Sequence, residues 1–465
     1  MAHFDPSKWT NEAPVYKKSP LVDLRGNPLV EALHTIPDGD KQTLLRMTVK
    51  PQFHLREIKL PSATRMLCVD RLHNFFFANP KHVEILQDIY AAVLNGYREK
   101  NPLEAKGQRK MHALSSSGCP AGIYLLTGPS GTGKSSLTRV VQEYFGAAVI
   151  AHSTYNGIPL PEKQIPFLRI NLPDNCSTKA ICEGLCRLVN KLLGVNHYER
   201  EAYNTSVKHN IIQDVKYFIR CYHVGAIIID EIQHLSHAKS GGKEGVIAFL
   251  NNLQDEIGVP VILVGTYAAC NLLQDSASTA RRLVVNGYSD LARWESADDA
   301  EWLALCQVLW RYQWLADPCE LSDEIISKLY EYSQGITAIL IALFIRAQKT
   351  ALRNKIESID GAFLTRTYLE QLTPLHGIID ALRSNNQKAL CMYEDLYIKQ
   401  RHIFKVDKVE GRLDELNESI TAEMDMLSSQ AEFETHQPKP KGKGRKAKKS
   451  IADALQEVVS SHQSV

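Results

Sequence analysis

The sequence predicts an α/β protein whose core is a parallel sheet flanked by helices, followed by a helical domain and a basic C-terminal extension. In the middle of the chain, short apolar runs typical of buried strands alternate with stretches of helical periodicity. Strands that alternate with helices form parallel sheets covered on both faces. The predicted strands are residues 122–127, 166–171, 225–230 and 260–265, and the predicted helices are residues 135–145, 177–193, 206–221 and 243–256.

Changes in composition divide the chain into segments. Prolines punctuate the N-terminal part, and helical periodicity without strands follows the α/β part. The expected segments are an extended N-terminal arm (1–65), a helical segment and linker (66–118), the α/β core (119–295), a helical lid domain (296–386), a charged helical extension (387–432) and a flexible basic tail (433–465).

Composition limits the class of protein. The chain has 465 residues, 44% of them hydrophobic and 23% charged, which is ordinary for a globular protein. No apolar run reaches the ~18 residues of a membrane span, and the N-terminus lacks the pattern of a signal peptide. The ten cysteines form no C-x-x-C pair. We therefore expect a cytoplasmic protein with reduced thiols and no membrane partner.

The net charge of +2 conceals a strong asymmetry. The stretch from Lys439 to Lys449 holds seven lysines and arginines and no acid. The rest of the chain is therefore net acidic, so any nucleic-acid surface on the folded part must be local.

The most specific motif lies between the first predicted strand and helix of the core. Residues 128–135, GPSGTGKS, match the pattern G-x-x-x-x-G-K-[ST]. In a strand–loop–helix context this pattern cradles phosphates with backbone N–H groups and the positive end of the helix. We expect Lys134 to neutralise the β- and γ-phosphates of ATP and the Ser135 hydroxyl to hold Mg²⁺. The expected ATP-binding residues are Gly128, Pro129, Ser130, Gly131, Thr132, Gly133, Lys134, Ser135 and Ser136.

A second motif ends the third predicted strand. The apolar run 226–229 is followed by Asp230 and Glu231. Carboxylates at the carboxyl edge of a parallel sheet face the nucleotide, so we expect Asp230 to hold Mg²⁺ and Glu231 to deprotonate the attacking water. An acidic turn without function is the alternative for this motif alone. Its pairing with the phosphate loop favours catalysis.

Three further residues are candidates for catalysis. Thr266 follows the fourth predicted strand, where a polar group would lie between the water and the γ-phosphate. Arg281 and Arg282 lie beyond it, and a guanidinium inserted by a neighbouring subunit would stabilise the transferring phosphoryl group. A turn threonine and surface arginines are the structural alternatives, and the sequence leaves the choice between the two arginines open.

Seven runs in the chain carry a resemblance to a known family: residues 225–236, 240–242, 258–266, 321–324, 332–335, 372–376 and 27–33. They resemble the TnsC family of AAA+ ATPases, which regulate target choice in Tn-seven-like transposons, including CRISPR-associated ones. The resemblance covers roughly residues 25–390, although the run DEIQHL is shared with TniB-type relatives. One departure is that no sensor arginine follows Gln334 and Gly335, where Ile336-Thr337-Ala338 stands.

The resemblance implies a bacterial regulator and not a strand-breaking enzyme. It implies ATP-dependent assembly into homo-oligomeric rings or filaments on double-stranded DNA. It also implies links to a TniQ/TnsD-like target selector and a TnsA/TnsB-like transposase. Candidate contacts to the DNA backbone, each with a solvated surface as its alternative, are Lys163, Arg169, Lys179, Lys239 and Lys243.

Other classes of function remain as alternatives. A replication-type DNA-loading ATPase would share the core but add a helix-turn-helix domain after the lid. A STAND-like signalling NTPase would carry ligand-sensing repeats. Neither feature is evident in the sequence. A passive scaffold is disfavoured by the presence of Lys134, Asp230 and Glu231.

Overall fold

The computed structural model describes residues 11–112, 122–173, 176–196, 208–237, 242–274 and 287–384, and four positions between 386 and 393. These residues belong to the first of two compact units, Met1–Leu413. The second unit, Asp414–Val465, lies outside the described residues, as does nearly all of the predicted extension and tail.

Helices and strands follow one another in chain order with short 3₁₀ segments between them. The strands are β1 (Asn11–Glu12), β2 (Ile123–Thr127), β3 (Val149–Ala151), β4 (Thr154–Tyr155), β5 (Ile158–Pro159), β6 (Lys163–Gln164), β7 (Phe167–Asn171), β8 (Ala226–Asp230), β9 (Val261–Val264) and β10 (Tyr288–Asp290). The helices are α1 (Pro28–Glu31), α2 (Lys41–Met47), α3 (Ser62–Val69), α4 (Pro80–Tyr97), α5 (Ala105–His112), α6 (Lys134–Phe145), α7 (Thr178–Leu193), α8 (Lys208–Cys221), α9 (Gly242–Asn252), α10 (Tyr267–Gln274), α11 (Ala300–Trp310), α12 (Asp323–Ser333), α13 (Thr337–Arg353), α14 (Gly361–Gln371) and α15 (His376–Ser384).

The core is a five-stranded parallel sheet in the order β10-β2-β9-β8-β7. All residues of β2, β8 and β9 are buried, because helices cover the faces of the sheet. The predicted α/β architecture with a parallel sheet flanked by helices is confirmed. The edge strand β10 was not predicted from the sequence.

The register of the sheet aligns the ends of its strands. Thr127 lies opposite Asp290, Leu126 opposite Val264, and Asn171 opposite Asp230. The chain segments that leave β2, β8 and β9 therefore emerge at one edge. In open α/β sheets, ligands bind at this carboxyl edge.

The sequence predicted an extended N-terminal arm, but the structure shows short helices within it. Its short helices α1 and α2 bury Leu29, Leu44 and Met47, and β1 pairs in parallel with β3. The buried Glu31 carboxylate accepts from the backbone of Ser19 and Gly26 at 3.1 Å and from the Tyr155 hydroxyl at 2.6 Å. Prolines break regular structure, but apolar burial against the core still folds this segment.

The helical segment before the core packs against the helical domain after it. Arg65 on α3 forms two 2.7 Å hydrogen bonds to the Glu357 carboxylate and donates to the Trp314 carbonyl at 3.0 Å. Lys349 on α13 pairs with Asp70. The segment that precedes the core in sequence thus packs onto the helical domain that follows the core.

The helical region after the sheet, which the sequence predicted, buries large aromatic side chains. Trp302, Trp314 and Phe344 are fully buried there. Among the described residues, no single helix is long and apolar enough to cross a membrane, and only α12 and α13 together, as a bent pair, meet that criterion of length and composition.

Candidate nucleotide-binding site

The loop between β2 and α6 passes tightly between two other parts of the fold. A Cβ atom on Gly128, where φ is +150°, would lie 2.2 Å from the Leu291 carbonyl oxygen. A Cβ atom on Gly131, where φ is +85°, would lie 2.9 Å from Ile336 Cγ2. Only glycine fits both positions, and at Gly128, a fixed position of the motif, the sequence pattern therefore has a steric cause.

Lys134, the first residue of α6, lies inside this loop. Its side chain is 7% exposed, and its Nζ donates to the carbonyl oxygens of Gly128 at 2.9 Å and Pro129 at 2.7 Å. Thr132 also donates to the Pro129 carbonyl, at 3.0 Å. The Lys134 ammonium therefore lies within the loop, where its positive charge can attract a phosphate. Ser135, the next residue, is exposed.

The two acidic residues at the end of β8 have different surroundings. Asp230 is buried, and its Oδ1 accepts from the Glu231 backbone N–H at 3.0 Å. Glu231 is half-buried and has a φ of +62°, in the left-handed region that non-glycine residues seldom adopt. Such backbone conformations persist where surrounding contacts enforce them, and they concentrate at functional sites.

Arg169, one of the candidate DNA contacts, lies beside the acidic pair. It is on β7 with its Nη2 2.8 Å from Asp230 Oδ2, and its side chain is 18% exposed. Burial lowers the pKa of the Arg139 guanidinium on α6 below its usual value. The nearby Glu143 carboxylate opposes this shift, and the positive charge of Arg169 adds to it. Arg169 is therefore an ion-pair partner of Asp230.

One side chain joins Glu231 to the end of the neighbouring strand. Gln233 accepts from the Thr266 backbone N–H at 3.1 Å and donates through Nε2 to Glu231 Oε2. The hydroxyl oxygen of Thr266 is buried and makes no hydrogen bond within the described part of the chain. Glu231, Gln233 and Thr266 thus form one connected group at the carboxyl edge.

The comparisons with known proteins agree with this geometry. Residues 119–273 match the family model described as AAA domain. These residues form an AAA+ ATPase core. No curated protein matches the chain.

Solved structures resemble the chain at low similarity. One is the Walker-type ATPase PABY2304 of Pyrococcus abyssi, at 15% identity and a TM-score of 0.34 over 57% of this chain and 72% of that one. Another is the RuvB Holliday junction branch migration motor of Thermotoga maritima, at 16% and 0.31 over 53% and 60%. A third is the ORC2 protein of Aeropyrum pernix in its ADPNP–ADP complexes, at 13% and 0.38 over 66% and 80%.

The helical lid domain contacts the phosphate loop of the AAA+ core directly. The N-cap residue of α13, Ile336, provides no side-chain cap, and the Ala338 N–H donates to the Gly131 carbonyl at 3.0 Å. Arg293, in the connection between core and lid, donates to the Gln334 carbonyl at 2.9 Å. One backbone N–H at the N-terminus of a lid helix is therefore satisfied by the loop itself.

Sequence reasoning missed several residues beside the loop. Phe76 lies 3.7 Å from the position that a Cβ atom on Gly133 would occupy. Its aromatic neighbours suggested a helix, but Phe76 instead forms a backbone bridge with Val49. In the sequence, Ile336 and Ala338 stand out only because no arginine is present there. Gln233 stands out only as part of a run that resembles the TnsC family.

The remaining DNA candidates lie on different elements. Lys163 is exposed on β6. Lys179 and Lys243 lie in the first turns of α7 and α9, whose N-termini border a cleft of about 350 Å³. Lys179 is 3.9 Å from Glu183 on its own helix. Lys239, Arg281 and Arg282 lie outside the described residues.

Proposed function

We propose that the protein is an ATP- and Mg²⁺-dependent AAA+ regulator of DNA transposition that oligomerises on duplex DNA. It links a target selector to a TnsA/TnsB-like transposase. The selector is of the TniQ/TnsD type, which includes CRISPR-guided selectors. The observation that carries the proposal is the grouping of Lys134, Asp230 and Glu231 at one edge of the sheet. The TnsC-like runs in the sequence supply the transposition role.

The residues present fit a nucleotide with Mg²⁺. The loop has no side chain at Gly128 and Gly131, where a Cβ atom would collide with its neighbours, so its backbone can receive phosphates there. Ser135 and Asp230 would hold Mg²⁺, which supplies charge neutralisation on the phosphates. Arg169 already pairs with one Asp230 oxygen, so it would have to yield that oxygen or share it.

The residues around the reacting phosphate have separate roles in this proposal. Glu231 is half-buried at the sheet edge, so water can reach it there. Its carboxylate accepts a proton from the attacking water. Thr266 presents a buried hydroxyl that lacks a hydrogen-bond partner within the described residues. A buried hydroxyl of this kind is costly unless another group satisfies it, which supports a contact to the water or the γ-phosphate.

The cleft between α7 and α9 supports the DNA-binding role. Ser177 caps α7 by accepting from the Ala180 N–H at 3.2 Å, and Gly245 approaches Thr178 closely enough that a Cβ atom there would lie 3.8 Å from Thr178 Oγ1. Two helix N-termini with a lysine in each first turn favour phosphate over base contacts. Binding would then be independent of sequence.

We expect the double substitution Lys179→Ala and Lys243→Ala to weaken ATP-dependent duplex binding for all DNA sequences alike. Each lost phosphate contact should lower the slope of log K against log salt by roughly 1. Fluorescence anisotropy at several salt concentrations measures this. Lys191→Ala is the matched control, because Lys191 is exposed in the last turn of the same helix as Lys179. An unchanged salt slope in the double variant would remove both lysines from the DNA interface.

The assembly role predicts complementation between subunits. In the sequence, Arg281 and Arg282 follow the strand that ends just before Thr266. In this proposal they reach the γ-phosphate bound by a neighbouring subunit. A protein with both arginines changed to alanine should bind ATP normally but not hydrolyse it. Mixing it with Lys134→Ala protein should restore part of the ATPase activity. Assemblies shown to be mixed that recover no activity would exclude a finger acting in trans.

Electron microscopy with duplex DNA and a non-hydrolysable ATP analogue tests the whole proposal. We expect rings or filaments on DNA only when the analogue is present, and retention of TniQ-like and TnsB-like proteins on them. Assembly without DNA would instead favour a signalling NTPase. DNA-bound assemblies that retain neither transposition protein would favour a replication-type loader.

A further inference from the structure

The carboxamide of Gln233 connects two functional strand ends. Gln233 lies in the 3₁₀ segment Ile232–His237 that follows β8. Its Oε1 accepts from the Thr266 N–H at 3.1 Å, just beyond β9, and its Nε2 donates to Glu231 Oε2. Because the oxygen of this amide contacts Thr266 and its nitrogen contacts Glu231, the Gln233 side chain fixes the separation of the two strand ends.

The backbone of Glu231 is fixed in a tight turn at positive φ: its N–H donates to Asp230 and its carbonyl accepts from the His234 N–H at 3.1 Å. Neither of these two contacts orients its side chain. A glutamate side chain has three rotatable bonds, so an unsupported carboxylate samples many positions. The hydrogen bond from Gln233 selects one of them.

Gly265 leaves the space that this bridge requires. A Cβ atom at position 265 would lie 2.8 Å from Gln233 Oε1 and 2.7 Å from Ile232 Cγ2. Gly265 has no unusual φ, so its backbone does not require glycine. Close approach of the Gln233 amide to the strand end is therefore a specific reason for glycine here.

We propose that Gln233 is a positioning residue that holds the Glu231 carboxylate in register with Thr266 for ATP hydrolysis. This inference rests on the proposed role of Glu231 as the base. The amide suits the task because it donates to Glu231 and accepts from the Thr266 backbone in the same orientation. A glutamate at this position would still accept from Thr266, but it would repel Glu231. A leucine would keep the approximate volume and make neither hydrogen bond.

The test compares steady-state hydrolysis and nucleotide affinity in Gln233→Leu, Gln233→Glu and Gly265→Ala proteins. We expect kcat to fall by about 10- to 100-fold, since small misplacements of reacting groups cost up to this much, while KM and the Kd for an ATP analogue change little. Ser236→Ala is the control. Within the part of the chain that the structure describes, the Ser236 hydroxyl donates to the Gln233 carbonyl alone, at 2.9 Å, and its loss should leave kcat unchanged.

A purely structural bridge would give a different pattern. It would lower thermal stability and weaken nucleotide binding together with kcat. If Gly265→Ala acts by displacing the amide, the double variant with Gln233→Leu should be no slower than the slower single variant. Multiplicative losses, or a kcat for Gln233→Leu within about twofold of the parent, would overturn the proposal.

A separate variant distinguishes this failure from failure of the proposed base. If Glu231→Gln stops hydrolysis but Gln233→Leu does not slow it, Glu231 stands as the base and only the positioning role is lost. If Glu231→Gln hydrolyses ATP at the parental rate, the base itself is misassigned and the positioning role is lost with it.

Discussion

Lys134→Ala is expected to abolish effective nucleotide binding and, with it, ATP-dependent assembly on DNA. The Lys134 ammonium is buried and held by two loop carbonyls, so it provides a preorganised charge for the phosphates. Removing one partner of a buried charge pair costs about 3–5 kcal/mol, which corresponds to a loss of roughly 10²–10³ in affinity or more. Isothermal titration with an ATP analogue measures the loss directly.

Lys134→Arg tests whether charge alone is sufficient. It keeps the charge but replaces the compact ammonium that donates to the Gly128 and Pro129 carbonyls with a larger planar guanidinium, so it should also lose affinity. Lys163→Ala removes an exposed lysine from β6 and should leave nucleotide affinity unchanged. ATP affinity at the parental level in Lys134→Ala would refute the phosphate-loop assignment.

The strands that build the site were predictable because they are buried on both faces. Continuous apolar runs identify β2, β8 and β9 almost to the residue, and the motif residues follow their ends. The edge strand β10 has only three residues, including the exposed Tyr288 and the polar Asp290. It forms because the finished sheet offers β2 as a pairing partner, which no local pattern reveals.

The N-terminal arm shows where local signals mislead. Its prolines indicate an extended chain, yet Leu24 and Leu29 are completely buried, and the Asn27 side chain donates to the Tyr97 carbonyl at 3.0 Å. Pro28 itself begins α1, at a helix position that tolerates proline. Tertiary burial decides the outcome, and the sequence alone does not show which surface is available to bury these residues.

Arg169 and Gln233 show the same limit at the site. The sequence suggested a DNA contact for Arg169 but gave no sign of its ion pair with Asp230, which forms because the parallel register brings β7 alongside β8. Gln233 lies two residues after Glu231, a spacing that indicates no function until β9 is placed beside β8. Residues that act on a neighbouring strand are recognisable only from the sheet.

Glu231→Gln is expected to stop ATP hydrolysis while leaving ATP binding intact. The amide retains the shape of the carboxylate, and its oxygen can still accept the hydrogen bond from Gln233, so the turn at positive φ should be undisturbed. The amide cannot take a proton from water. Loss of a general base lowers the rate by about 10²–10⁴-fold.

The same variant should change the lifetime of DNA-bound assemblies. If hydrolysis drives disassembly, assemblies formed with ATP by the Glu231→Gln protein should persist as long as those formed by the parent with a non-hydrolysable analogue. Single-turnover hydrolysis and dissociation from duplex DNA are measured on one preparation. Asp255→Asn is the control, since Asp255 lies away from the sheet edge in the π-helical segment Leu253–Ile257 and should leave both rates unchanged. Parental turnover in Glu231→Gln would move the base elsewhere. Blocked turnover with parental dissociation would instead separate hydrolysis from disassembly, because ATP-bound subunits would then leave DNA without cleaving their nucleotide.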